Sequence, residues 1–326
     1  MINRRELLTA AAAAGLSTAF PQHAAAQAFP SKPIRIVVAF APGGATDILA
    51  RAVAAQLTVV TGQSVFVENR PGGGGLIAME AVARAPADGY TLLWGSDSIV
   101  VQPLLNKSFP IDPFRDLTPL ARLGTAPMVI SVRKGLPVSN MAELVAYAKA
   151  QSEPLKYGSG GNGSTQHFTG EELKMRSGIN MTHIPYKGTG PAVNDALGGH
   201  IDVVFTGVGE IAAHAASGAL KVLAVFSEGR VEKLPNVPTM IESGFPGFIA
   251  GSWMGVLGPA KMPPDVANLL SDKVIQAAQA DDFKSKAANF GLSGALLKGP
   301  ETLNFMKALS DRLRQAAEKA NIKADA

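Results

Sequence analysis

From residue 34 onward, short apolar runs alternate with amphipathic stretches, and most runs end in a small-residue loop. Ile34-Arg35-Ile36-Val37-Val38-Ala39-Phe40 predicts a buried strand. Ala41-Pro42-Gly43-Gly44-Ala45 predicts a loop, and Thr46-Asp47 a cap for a helix to about Val60 with Ile48, Ala52 and Leu57 on its apolar face. Ser64 to Glu68 predicts a second strand, stopped by Asn69-Arg70-Pro71 and the glycines Gly72 to Gly75. Thr91 to Trp94 predicts a third, followed by Gly95-Ser96-Asp97-Ser98 and a helix from Ile99. Strands alternating with helices predict an α/β fold with a parallel sheet covered by helices on both faces.

The pattern restarts at a strand over Met128 to Val132. Asn140 and Glu143 have capping-box spacing and open a helix to about Ala150. Leu155-Lys156-Tyr157 predicts a strand, then Gly158-Ser159-Gly160-Gly161-Asn162-Gly163-Ser164 a loop and Thr165 the start of a helix. Ile201 to Phe205 predicts a strand, followed by Thr206-Gly207-Val208-Gly209 and a helix from Glu210. Leu220 to Phe226 predicts another strand. After Gly251-Ser252-Trp253 the chain reads as largely helical, at 264–279 and 300–320. Two doubly wound lobes are expected. One comprises 27–126 with 252–326 and the other 127–251, with chain crossings near 124–127 and 250–254.

The first residues follow a different logic. Met1-Ile2-Asn3-Arg4-Arg5 is a basic segment, Leu7 to Phe20 an uncharged Ala-rich run, and Ala24-Ala25-Ala26 a small-residue cleavage site. That run falls short of the ~20 residues that span a bilayer. Residues 1–26 are therefore expected to be a signal peptide cut near Ala26, with the mature protein exported to the periplasm; Arg4-Arg5 loosely fits a twin-arginine signal.

Composition narrows the classes. Apolar residues make up 47% of the 326, enough for a large core, and the formal charge of +4 comes without a dense Lys/Arg block, so nucleic acid is not an expected partner. The absence of cysteine removes disulfides, thiolate metal sites, a cysteine nucleophile and a lipidated N-terminal Cys.

The candidate chemistry lies in four strand-to-helix junctions: Pro42 to Asp47, Gly95 to Ser98, Gly158 to Thr165, and Thr206 to Gly209. Open α/β sheets bind ligands at the carboxyl ends of their strands. Glycine lets a ligand approach backbone N–H groups, Ser and Thr add hydroxyl donors, and a helix N-terminus adds unpaired N–H groups with a partial positive charge. Each hydrogen bond to an anion is worth about 1.5–3 kcal/mol. Four or five reach the scale of a micromolar complex, about −8 kcal/mol, after ordering costs. Any one loop alone reads rather as an ordinary βα turn; four together, all at strand carboxyl ends, point to a carboxylate site.

Other candidates are weaker. Arg70 before Pro71 reads as a turn residue, and the glycines Gly72 to Gly75 lack the Lys-Ser/Thr of a phosphate loop. His167 in a first helical turn reads as a hydrogen-bonded structural histidine, and Lys187 as solvated, with attraction of an anion as its other role. His167, His183, His200 and His214 lack zinc-site spacing, and no Ser sits in a Gly-x-Ser-x-Gly elbow. Neither a metal, a cofactor nor an enzymatic activity is expected, a periplasmic hydrolase being the remaining catalytic alternative.

A set of motifs runs across most of the chain. They are Phe40-Ala41-Pro42-Gly43-Gly44-Ala45-Thr46-Asp47, Val67-Glu68-Asn69-Arg70-Pro71-Gly72, Asp88-Gly89-Tyr90-Thr91-Leu92-Leu93 and the Tyr157 to Ser164 segment. His183-Ile184-Pro185-Tyr186-Lys187-Gly188, Leu197-Gly198-Gly199-His200-Ile201-Asp202-Val203, Leu234-Pro235-Asn236-Val237-Pro238-Thr239 and Ser252-Trp253 complete it. In these the chain resembles the Bug family of extracytoplasmic solute receptors, the binding components of tripartite tricarboxylate transporters. The resemblance implies a two-lobe, Venus-flytrap periplasmic binding protein. It would act as a monomer on a small organic anion and serve membrane transporter subunits or, alternatively, a sensor kinase. It places ligand contacts at Gly43, Gly44, Ala45, Thr46, Asp47, Ser96, Asp97 and Ser98 in one lobe. In the other it places Ser159, Gly160, Asn162, Gly163, Ser164, Thr165, Thr206 and Gly207. Two positions depart from the family: Asp97-Ser98, where a small Gly/Thr/His loop is usual, and Thr206, where an acid is usual. Asp97 either caps the following helix or favours a ligand with an amine or several hydroxyls.

Overall fold

The computed structural model describes residues 29–40, 42–43, 45–72, 75–106, 108–186 and 188–320. The expected signal peptide, Gly44, Gly73, Gly74 and Lys187 lie outside them. The fold described below begins at Lys32.

The strands are β1 (Ile34–Val38), β2 (Val65–Asn69), β3 (Thr91–Gly95), β4 (Leu117–Arg133), β5 (Leu155–Ser159), β6 (Met181–Pro185), β7 (Val203–Gly207), β8 (Leu220–Val225), β9 (Gly251–Pro259) and β10 (Leu297–Lys298). The helices are α1 (Ala45–Thr61), α2 (Leu76–Ala83), α3 (Ser98–Leu105), α4 (Pro113–Asp116), α5 (Met141–Ala150), α6 (Thr165–Ser177), α7 (Thr189–Gly198), α8 (Val208–Ala216), α9 (Pro264–Ala278), α10 (Asp281–Asn289) and α11 (Gly299–Ala320).

The main path of the sheet runs β2-β1-β3-β9-β4-β7-β5-β6, with β8 and β10 also paired to β4. β1 lies parallel to β2 and β3, and β5 lies parallel to β6 and β7. Two parallel halves are thus joined through β4 and β9, an antiparallel pair in register from Leu117↔Pro259 to Pro127↔Gly251. β4 continues past that pair to bond β7 and β8, so one strand belongs to both halves. The result is a mixed α/β fold, one sheet with two parallel halves flanked by helices.

Alternation along the strands builds the cores. In β7, Val203 and Phe205 join Ile130, Val132, Tyr157 and Phe248 on one face. Val204 joins Val129, Val225 and Ile211 on the other. Both faces are covered, which is why these strands read as continuous apolar runs. The other half packs Val37, Leu93 and Leu257 against Met306 and Leu313 of α11. Helices α9 and α11 also pack on β4.

Several expectations need correction. The segment after Gly251 forms strand β9 before any helix. The strand expected over Met128 to Val132 is the end of a 17-residue strand. Two prolines and a glycine make its first part read as a loop; register shifts between Pro119 and Ala121 and between Arg122 and Gly124 accommodate them. Ile48 is exposed, and α1 buries Leu49, Ala52, Val53 and Leu57 instead. The cap half of the expected capping box forms, with Asn140 Oδ1 accepting from the Glu143 N–H (2.9 Å), but Glu143 Oε2 reaches back to the Ser139 N–H (2.7 Å), one residue before the cap, and not to the Asn140 N–H.

Candidate functional site

Helices α1, α3, α6 and α8 all begin at the carboxyl end of a strand, and their first turns meet around one cavity of about 380 Å³. Ala45 and Thr46 line it from α1, Ser98 from α3, Thr165 and Gln166 from α6, and Gly207 and Glu210 from the start of α8. The first N–H groups of a helix have no intrahelical acceptor and carry partial positive charge. Four such termini around one space suit an anion. The crossing strands supply the floor, with Ala126 and Met128 from β4 and Ser252 and Met254 from β9. No lysine or arginine lines the cavity among the described residues. A larger cavity of about 800 Å³ sits between α9 and the start of α11, away from these four loops.

Of the residues expected at the site, Ala45, Thr46, Ser96, Asp97, Ser98, Gly163, Ser164, Thr165 and Gly207 line this cavity. Gly43, Asp47, Ser159, Gly160, Asn162 and Thr206 do not, and Gly44 lies outside the described residues. The reasons are local. Asp47 sits inside the first turn of α1, its side chain 5% exposed and paired with Arg51 at 3.0 Å. It also accepts from the Gly43 N–H (3.0 Å) and the Asn69 amide (2.8 Å). Burial pushes its pKa up, but the Arg51, Gly43 and Asn69 hydrogen bonds outweigh that and hold the carboxyl below its ordinary range. Thr206 is fully buried in β7, opposite Val129.

The 158–165 loop spends several of its polar groups on itself. Ser159 Oγ lies 2.6 Å from His183 Nε2 and donates to the Gly161 carbonyl at 3.1 Å. Ser164 caps α6 by accepting from the His167 N–H (3.2 Å) and donates to the Gly161 carbonyl (2.7 Å). His167 Nδ1 accepts from the Gly163 N–H at 3.1 Å, and its ring stacks on His183 at 3.8 Å, which in turn stacks on Tyr157 at 4.9 Å. His167 therefore holds the loop's shape, as expected of a structural histidine.

Asp97 does not cap α3 with its side chain. Its Oδ2 accepts from Thr165 Oγ1 at 2.9 Å, and Oδ1 faces the Trp253 N–H at 3.4 Å. The carboxylate thus links α3 of one sheet half to α6 of the other. Burial raises its pKa to about 6, against the Thr165 bond, the Trp253 N–H, Ser252 and the charge of Arg312. Ser96 and Ser98 face each other at 3.1 Å between their hydroxyls. Beyond the motif loops, the cavity takes Phe40, Val101, Gln102, Gln166, Met254 and Glu210. Of these, Phe40 opens a motif quoted above and Glu210 starts a helix the pattern predicts; the others carried no signal in the sequence.

Comparisons with known proteins agree with this architecture. Residues 49–322 match the model of the tripartite tricarboxylate transporter family receptor. Protein BugT of Bordetella pertussis is 35% identical over 283 residues, covering 86% of this chain and 87% of BugT. The solved structure of the periplasmic binding protein BugD superposes with a TM-score of 0.73 at 32% identity, over 91% of this chain and 100% of BugD. A Rhodopseudomonas palustris protein solved with adipate gives 0.78 at 32% identity, over 90% and 99%. MatC from Rhodopseudomonas palustris, solved with malate, gives 0.71 at 28% identity, over 88% and 99%. With its two-half sheet, four helix termini at one cleft and family motifs in order, the chain belongs to the tripartite tricarboxylate transporter receptor family, the Bug-type solute-binding proteins.

Proposed function

We propose that this protein is an exported periplasmic receptor that captures a small carboxylate between its two lobes and delivers it to a tripartite tricarboxylate-type membrane transporter. The observation that carries the reading is the convergence of four helix N-termini on one cavity without a cationic side chain among the described residues. Such a site holds an anion with backbone N–H groups and hydroxyls, here the hydroxyls of Thr46 and Ser98 and the N–H groups of the first helical turns. A space of about 380 Å³ suits a compact acid. The R. palustris relatives solved with adipate and with malate support the same class. In this reading the lobes are 27–126 with 252–326 and 127–251, and they pivot where β4 and β9 pass between the sheet halves. Cleavage near Ala26 releases the mature chain.

The test is a thermal-shift screen of refolded, ligand-stripped mature protein against four- to six-carbon dicarboxylic acids and their diamides. A ligand at 100 times its dissociation constant adds about 2.7 kcal/mol, which is a few degrees for a chain of this size. Stabilisation by an acid and not by its amide is expected. Equal response to both, or none across the series, overturns carboxylate capture.

A further inference from the structure

Along β4 and β9 side chains alternate between two faces. Ala126, Met128, Ser252 and Met254 face the carboxylate cleft. Their neighbours Thr125, Pro127 and Gly251 border two other cavities of about 320 and 330 Å³, which share Arg122, Thr125, Glu228 and Ile249. Arg122 lines both, and Arg312 of α11 lines the second.

These two arginines differ from the rest. Every other arginine among the described residues has a carboxylate within 4 Å: Arg35, Arg51, Arg70, Arg84, Arg115, Arg133, Arg176, Arg230 and Arg314. Arg122 is 9% exposed, yet its bonded partners are neutral: the Ala295 carbonyl at 3.1 Å and Thr125 Oγ1 at 2.7 Å. Its Cζ lies 4.4 Å from the centre of the Phe305 ring, and its Nε is buried without an acceptor. Arg312 donates to the Ile249 carbonyl at 2.8 Å, and its Nε is likewise buried without one. Gly294, at φ +98°, leaves room for the Arg122 guanidinium, since a Cβ there would lie 3.3 Å from Nη2.

Burying a charge without a counter-charge is costly, so buried cations normally have an anionic partner. Burial does lower the Arg122 pKa, against the attraction of Glu228. Two carboxylates border the second cavity. Asp97 has its oxygens directed at Thr165 and the Trp253 N–H, and Glu228 is exposed. Neither lies within ion-pair distance of either guanidinium.

We infer that the cavity between Arg122 and Arg312 is a second anion site, distinct from the carboxylate cleft but sharing the Asp97 wall with it, that takes a small oxyanion or carboxylate. Its walls come from both sheet halves: Arg122, Phe305 and Arg312 from one, Glu228 and Ile249 from the other. Glu228 is a competing acid at its edge. The site stands whether or not the cleft binds a carboxylate.

Equilibrium dialysis of the mature protein with radiolabelled inorganic phosphate, at constant ionic strength set by sodium chloride, tests it. The wild type binds phosphate saturably, and Arg312→Gln weakens that binding roughly tenfold or more, the loss of one charge-assisted contact. Glu228→Gln strengthens it several-fold, an effect that a purely structural role for the arginines would not produce. The cleft double variant Thr46→Val/Ser98→Ala retains it. Circular dichroism confirms that each variant is folded, and Arg122→Lys serves as the second probe should Arg312→Gln be unstable. Absence of saturable binding by the wild type overturns the site. So does binding that survives Arg312→Gln but is lost in the cleft double variant.

Discussion

The β4–β9 pair presents opposite chemistry on its two faces. The cleft face carries small and apolar side chains beneath helix termini, with hydroxyl donors and two acids, Asp97 and Glu210, around it. The other face carries two arginines, Arg122 and Arg312, with Asp97 and Glu228 nearby but outside ion-pair distance. A net charge of +4 over the whole chain therefore says little about where anions are held. One face uses helix dipoles and backbone donors, the other side-chain charge, and the two respond differently to substitution.

The largest effect should come from the strands they share. A Cβ at Gly251 would lie 2.3 Å from the Ala126 carbonyl and 2.8 Å from the Pro127 Cα, both backbone atoms. Gly251→Ala should cost about 3 kcal/mol, the upper end of ordinary overpacking. Urea unfolding measures this. Carboxylate and phosphate binding should weaken together, because distortion of one strand pair moves both faces; loss of only one would break the idea of a shared scaffold.

Removing the Thr165 hydroxyl acts on one face. Thr165→Val leaves the buried Asp97 carboxylate without its closest donor, at a cost of about 1–3 kcal/mol. Carboxylate affinity should fall by about tenfold by calorimetry, because the Asp97 tie that positions the first turn of α6 in the cleft is lost. An unchanged affinity would place the ligand away from that helix.

Asp97 gives the comparison a pH axis. Its folded pKa is about 6 against an ordinary 3.8. Between these values the folded state holds a proton that the unfolded state has released, so stability falls as pH rises from about 4 to 6. An amide in its place has no proton to release over this range. Asp97→Asn should therefore gain on the wild type by on the order of 2 kcal/mol between pH 4 and pH 7. Parallel pH profiles of the two proteins in urea unfolding would contradict a buried, ionising Asp97.

The smallest effect belongs to Glu210, exposed at the edge of the cleft. Glu210→Gln should raise affinity for a dianionic ligand roughly threefold at low salt and less at about 0.5 M, since exposed charges are screened. Salt titration of the two proteins checks this.

The sequence by itself determined what rests on local chemistry. Strand-to-helix loops at 42–47, 95–98, 158–165 and 206–209 were legible because each is a glycine- or serine-rich break between an apolar run and an amphipathic one. Four helix starts did fall there, and their convergence on one cleft follows from a rule about strand ends. The cap at Asn140 was legible for the same reason. Tertiary structure decided the rest. β4 and β9 are held by pairing between residues more than 100 apart, against the local advice of Pro119, Gly124 and Pro127. Whether Asp97 capped its own helix or reached Thr165 depended on which helix the fold set opposite it. Ser159 faced His183 rather than the cleft because a parallel strand brought that ring within 2.6 Å. Two arginines separated by 190 positions, Arg122 and Arg312, line one cavity only because α11 returns to pack on β4. Propensity and periodicity act over a few residues; pairing, burial and charge proximity act through space.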